Sequence, residues 1–166
     1  MSYSLISAES EIPDPLEKTC IIRINTDELF FKFSVALESS NLCDWGDAEP
    51  EISWMIKDKI KIVKGEYILY AAFAGNHMLG YCFCKPKKNQ QINEGVGFLD
   101  LLCAKSQLNL GVGASLLRFT EITAKKLGCH IMKVSHAMKS AVPFYIRNRY
   151  VEEEQYPRYS LMSKRL

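Results

Sequence analysis

The stretch DLLCAKSQLNLGVGASLL, running from Asp100 to Leu117, decides how this chain is read. It leaves an apolar run, crosses a short polar loop and reaches Gly111-Val112-Gly113, after which Leu116 and Leu117 begin a helical spacing. A strand that passes through a glycine turn into a helix is a place to hold phosphate. The first turn of a helix carries unpaired N–H groups and partial positive charge, and glycine lets the main chain come close enough to a diphosphate for those groups to bond it. About thirty residues later, Ala141 to Tyr150 supplies a second anchor, with Pro143 suited to the first turn of a short helix because its missing N–H would have had no partner there.

Working outward, the segment Gly97 to Ala104 reads as the strand before the glycine turn, and Gly111 to Leu127 as a helix with Val112, Leu116, Leu117, Phe119, Ala124 and Leu127 in one wide apolar stripe that Gly128 ends. Upstream, Glu66 to Ala74 and His77 to Lys85 are two β-rich runs around Gly75-Asn76, a strong hairpin signal, and Lys87 to Glu94 reads as a polar loop. Cys20 to Ile24 is a first strand, and Thr26 is placed to cap a helix to about Ser39 with Leu29, Phe30, Phe33 and Leu37 on its apolar face. A second amphipathic helix starts near Pro50, carries Ile52, Met55, Ile56 and Ile60 on one side and stops near Lys64-Gly65. Downstream, His130 to His136 is a strand, and Val151 to Glu154 and Tyr159 to Lys164 close the chain as two more. Residues 1–18 read as a polar tail or edge extension and 19–166 as one domain, since 166 residues leave no room for a second full core.

Composition narrows the partners. Hydrophobic residues make up 48% and charged residues 24%, with a net charge of +2 from 21 basic and 19 acidic side chains, so nothing points to nucleic acid or an acidic membrane surface. The longest apolar runs fall short of a membrane span, and the start has neither a basic leader nor a long apolar stretch, from which a cytoplasmic location is expected. Six cysteines are scattered without a Cys-x-x-Cys pair and mostly sit in apolar runs, which reads as buried free thiols. No metal site is expected, because Cys129 and His130 are neighbours on a strand and point to opposite faces. A dinucleotide-binding Rossmann unit fails on the missing third glycine and on the hairpins that precede the glycine turn.

The order of elements together with five local matches resembles the GCN5-related N-acetyltransferase superfamily over roughly residues 19–166. Leu79-Gly80-Tyr81 is similar to the family's third-strand Val-Gly-Tyr, and Asp100-Leu101 with Cys103 to its fourth-strand Asp-Leu-x-Val. Gly111 and Gly113 with Leu116-Leu117 match the end of the Arg/Gln-x-x-Gly-x-Gly/Ala signature, and Ala141 with Phe144-Tyr145 the late helix. Arg149-Tyr150 stands where the family usually has Gly-Phe. There are two departures: Leu108 replaces the signature's Arg or Gln, with Gln107 one place out of register, and Met138 replaces a common Asn.

The resemblance implies an α+β fold, a central and mostly antiparallel twisted sheet of six or seven strands flanked by about four helices and splayed between the fourth and fifth strands. It also implies acetyl-CoA as co-substrate, with the pantetheine arm against the main chain of Leu101, Leu102 and Cys103 and the diphosphate on Leu108, Asn109, Leu110, Gly111, Val112, Gly113 and Ala114. Loss of the arginine or glutamine at Leu108 is expected to weaken that binding without abolishing it, since main-chain N–H groups carry most of it.

The implied reaction is transfer of acetyl to a primary amine, which needs a base for the amine and an acid for the departing thiolate. Tyr145 matches the family's tyrosine beside the sulfur; a phenol of ordinary pKa near 10 stays protonated at neutral pH, and packing against Phe144 is its alternative role. Asp100 is the base expected from its own surroundings, an acidic residue within Phe98 to Leu102 where partial burial raises a carboxyl pKa, with a structural bond to a loop amide as the alternative. His136, at a strand end, is a second proton acceptor or else a surface residue. The family's first two helices wall the amine site, and here their connection carries Glu38, Asp44, Trp45, Asp47, Glu49 and Glu51, which suits a cationic amine, a polyamine, an amino acid or a lysine side chain, or is simply a solvated acidic loop. A protein of this fold that holds CoA or a partner without catalysis is the competing reading. Pairing of two copies through the late strands is compatible with the family.

Overall fold

The structure is a computed structural model that describes residues 18–40, 42, 49–89, 94–104 and 111–166, the side chains of 49–52 and 89 excepted. The expected tail lies, all but residue 18, outside the described residues.

The chain runs β1 (Thr19–Arg23), α1 (Asp27–Ser39), α2 (Glu49–Lys57), α3 (Lys59–Val63), β2 (Ile68–Ala74), β3 (His77–Asn89), β4 (Glu94–Ala104), α4 (Val112–Lys126), β5 (Cys129–Met138), a 3-10 turn (Lys139–Ala141), α5 (Val142–Arg147), β6 (Val151–Gln155) and β7 (Tyr159–Arg165). The seven strands among the described residues form one sheet in the order β1-β2-β3-β4-β5-β7-β6. Every neighbouring pair is antiparallel except β4 with β5. This is the mixed, mostly antiparallel α+β architecture expected from the sequence, with five helices among the described residues.

Both faces of the sheet are covered, so β2, and β3 from Met78 to Cys84, are apolar almost without interruption. Leu69, Ala71, Phe73, Tyr81 and Phe83 face one side and pack with Phe30, Phe33 and Leu37 of α1, Met55 of α2 and Ile62 of α3. Ile68, Ala72, Ala74, Cys82 and Cys84 face the other and pack with Leu116, Leu117 and Ala124 of α4 and with Met132, Tyr145 and Met162. At about 1.5–3 kcal/mol for each large side chain removed from water, these two layers supply most of what opposes chain entropy. Thr26 caps α1 as expected, its Oγ1 accepting from Leu29 N at 3.1 Å.

Four expectations change. The second helix is two: it breaks at Asp58, which leaves Ile56 and Ile60 54% and 70% exposed and buries Ile62 in their place. The described ends of the expected polar loop are strand, since β3 continues to Asn89 and β4 begins at Glu94; residues 90–93 lie outside the described residues. On α4, Phe119 and Leu127 face outward, and the inner face takes Thr120 and Thr123 instead. Both threonines are satisfied there, Thr120 donating to the Leu116 carbonyl at 2.8 Å and Thr123 sharing a 2.7 Å hydrogen bond with the Tyr70 hydroxyl. Finally, Cys20 is exposed, whereas Cys82, Cys84 and Cys129 are buried free thiols as expected; Cys43 lies outside the described residues.

Candidate active site

The site begins where the sheet comes apart. β4 pairs with β3 as far as Ala104 but with β5 only from Gly95 to Phe98, opposite Cys129 to Lys133. Beyond Lys133, β5 follows β7 instead. Among the described residues no strand pairs with the β5-facing edge of β4 from Leu99 onward, and residues of β3, β4, β5 and α5 line a cleft of about 590 Å³ there. Leu101, Leu102, Cys103, Asp100, His136 and Tyr145 all line it. Six residues singled out from the sequence are thus brought to one place.

Asp100 reaches the cleft through an irregularity. In the β3–β4 ladder, Phe83 pairs with Leu101 and Cys84 with Leu99, so Asp100 is an extra residue on its strand. A bulge of this kind re-aims a side chain that regular pleating would send elsewhere. Its carboxylate is half-exposed and lies 3.0 Å from the ammonium of Lys85, which also sits 3.0 Å from Asp58 at the α2–α3 break. Burial pulls the Lys85 ammonium down, but the hydrogen bonds and charges of Asp58 and Asp100 outweigh it and hold the group above its ordinary value.

A second cleft, of about 360 Å³, opens on the α2 side and is lined by Trp54, Lys57, Asp58, Phe83, Lys85, Asp100 and Leu101. Lys85, Asp100 and Leu101 belong to the walls of both. Asp58, Lys85 and Trp54 were not singled out from the sequence. The signal was present in part: Tyr81, Phe83 and Lys85 alternate along β3, which puts a charge on the face the aromatics occupy.

Tyr145 is buried, its ring edge-on to Phe144 and Tyr150 at 5.3 and 5.4 Å. Burial raises its phenol above the ordinary value, with the nearby Cys82 and Cys103 adding to the effect. Tyr150 is fixed in turn by Glu121, which accepts from its hydroxyl at 3.3 Å and from Lys164 at 2.8 Å. His136 is exposed, with its ring 4.5 Å from that of Tyr159. Met138 also lines the cleft.

After β4, Gly111 caps α4 with φ of 65°, a left-handed conformation that glycine adopts without penalty. The first bond of the helix is Ser115 N to Gly111 O at 3.0 Å, so the N–H groups of Val112, Gly113 and Ala114 precede it. Gly113 lies against Phe144 and Ala104, which ties this helix start to β4 and α5. The Val112 side chain itself is buried in the core. Leu108, Asn109 and Leu110 lie outside the described residues, as do Asp44, Trp45 and Asp47. Glu38 is exposed at the end of α1, and Glu49 and Glu51 fall in α2, where only the backbone is described. Among the described residues no group of three metal-ligating side chains comes together, and no helix is long and apolar enough to cross a membrane.

This geometry can be set beside known proteins. An N-acetyltransferase, PaiA, from Thermoplasma acidophilum in complex with coenzyme A is 18% identical, with a TM-score of 0.60 over 89% of this chain and 99% of that one. An acetyltransferase of the GNAT family from Streptococcus pneumoniae is 15% identical, with a TM-score of 0.63 over 90% and 99%. Naa50 of Arabidopsis thaliana, solved with the bisubstrate analogue CoA-Ac-MVNAL, is 14% identical, with a TM-score of 0.60 over 87% and 97%. At such identities the likeness is one of fold. No curated protein matches the sequence. The model of the Acetyltransferase (GNAT) family matches residues 30–149, from the first helix through the turn before Tyr150, and the chain belongs to that family.

Proposed function

We propose that this protein is an N-acetyltransferase whose domain spans 19–166 and which moves acetyl from acetyl-CoA to a primary amine by direct attack. The observation that carries the reading is the meeting, in one cleft, of the β4 edge from which β5 diverges, a carboxylate on a bulge and a buried phenol. Main-chain groups of Leu101 to Cys103, where β4 and β5 have diverged, suit the amides of a pantetheine arm, and the N–H groups at the start of α4 suit its diphosphate. A family whose solved relatives include complexes with coenzyme A supports the co-substrate. No metal is invoked.

Asp100 takes the amine's proton, with His136 as a second acceptor through water. The freed lone pair attacks the thioester carbonyl, whose developing negative charge is met by main-chain N–H donors. As the C–S bond breaks, Tyr145 donates a hydrogen bond to the leaving sulfur, and the second proton, shed by the nitrogen as it becomes an amide, passes to the departing thiolate or to water. Burial keeps Tyr145 protonated at every working pH, while a free thiol titrates near 8.5, so a hydrogen bond to the thiolate is favoured over complete proton transfer. The acceptor is a small cationic amine, a polyamine, an amino acid or a protein amine, and the reaction belongs in the cytoplasm.

One observation favours a second reading, a CoA-binding protein with little or no transfer: Met138 lines the cleft where the family commonly has Asn. Release of free thiol from acetyl-CoA across a panel of amines, beside calorimetric titration with CoA, separates the two. Acetylated product from any amine supports the enzyme; tight CoA binding without product from the whole panel supports the second reading.

A further inference from the structure

The ammonium of Lys85 is enclosed in a way that simple cross-strand pairing does not require. It touches Asp58 and Asp100 at 3.0 Å each, from opposite elements, and lies 5.7 and 5.4 Å from the ring centroids of Tyr67 and Phe83. Two carboxylates and two aromatic rings around one nitrogen on an unbranched four-carbon stem form the environment that recognises a primary alkylammonium. The place matters as much as the composition. Lys85 and Asp100 stand on the boundary between the cleft where β4 and β5 diverge and the cleft under Trp54, so an amine crossing from one to the other meets this nitrogen's position.

We infer that Lys85 is a resident occupant of the acceptor's ammonium site and thereby sets specificity: the site accepts the end of an unbranched alkylamine, such as a lysine side chain or a diamine, which displaces Lys85 in order to reach Asp100. The inference rests on the acetyltransferase reading for the identity of the acceptor. Displacement exchanges one ammonium for another, so neither carboxylate is left without a cation. Lys85 is able to leave, because its side chain is 25% exposed and its stem is flexible. Both carboxylates are bonded through a single nitrogen, a geometry that a tetrahedral ammonium meets and a planar, wider guanidinium does not.

The probe is n-butylamine, titrated without CoA into wild type, Lys85→Ala and Lys85→Met, with folding checked by circular dichroism. Butylammonium is expected to bind Lys85→Ala at least ten-fold more tightly than wild type, and to lose that gain in Lys85→Ala/Asp58→Asn. Lys85→Met, which keeps the stem without the charge, serves if the alanine variant does not fold, and is expected to bind more tightly than wild type. Equal affinity of wild type and both single variants overturns the inference. So does tighter binding of β-alanine than of butylamine to wild type that disappears in Lys85→Ala, which would make Lys85 an anchor for an anion. Binding is read without turnover, so absence of acetyl transfer counts against the enzyme reading alone.

Discussion

Gly80 of β3 passes so close to Cys103 of β4 that a Cβ on Gly80 would lie 2.7 Å from the Cys103 carbonyl oxygen and 3.0 Å from a methyl of Leu116. Backbone and a packed core side chain occupy the space, and neither gives way cheaply. Gly80→Ala is expected to destabilise the protein by about 1–3 kcal/mol, the usual cost of overpacking, seen as a lower melting temperature. Because Cys103 lies on the edge proposed for pantetheine, the same variant is expected to bind CoA several-fold more weakly by calorimetry.

Tyr145→Phe removes one hydroxyl from the cleft and keeps the ring packing against Phe144 and Tyr150. The proposed hydrogen bond to the leaving sulfur forms only as the C–S bond breaks. The variant should therefore lose about 10- to 100-fold in kcat with little change in KM for acetyl-CoA. Full turnover would return Tyr145 to a packing role.

Arg149 has φ of 69°, the left-handed region, in the place where the family usually carries glycine. A side chain there strains the backbone by about 1–2 kcal/mol, partly offset by the greater unfolded-state freedom of glycine. Arg149→Gly is expected to raise stability by about 0.5–1 kcal/mol in urea unfolding. An unchanged or lower midpoint would show that Arg149 contributes contacts that outweigh the strain.

Burial pushes the Cys82 thiol up to about 12 from an unfolded value near 9, and raises Tyr145 and Tyr150 as well. For each of these groups the unfolded chain gives up its proton first, so stability is full below the unfolded value and is lost as pH rises toward the folded one. Melting temperature should accordingly fall across pH 9 to 12, and Cys82→Ala should make that decline shallower. A flat profile over this range would contradict the burial of these groups.

Much of the sheet could be read from local pattern, because its signals are local: Gly75-Asn76 closes the β2–β3 hairpin, Thr26 caps α1, and Leu116, Leu117 and Ala124 keep helical spacing. Asp100, His136 and Tyr145 could be placed in one cleft because the order of motifs, matched to the family's, puts the first two on β4 and β5 and the third on the late helix α5. The errors have non-local causes. Nothing within α2 and α3 announces that the chain breaks at Asp58, since the break is held by Lys85 of a distant strand. The inward turn of Thr120 and Thr123 depends on partners, one of them Tyr70 across the core, that periodicity ignores. Lys85 reads in the sequence as no more than a strand end, because its meaning comes from two carboxylates that lie 27 positions before it and 15 after it in the chain.

The parallel seam between β4 and β5 is short and carries Gly95 and Gly97, where added side-chain atoms would come within 2.4 Å of the Gly128 carbonyl and 2.5 Å of the Met132 sulfur. It works as the spine of a half-open book whose two pages are β1–β4 and β5–β7. The aperture is therefore governed at the spine and not only by the residues that line the cleft. A bulkier residue at Gly95, where the obstacle is backbone, would pry the pages to a different angle and alter the reach between Asp100 and Tyr145 while leaving both chemically intact, whereas at Gly97 the Met132 side chain can give way.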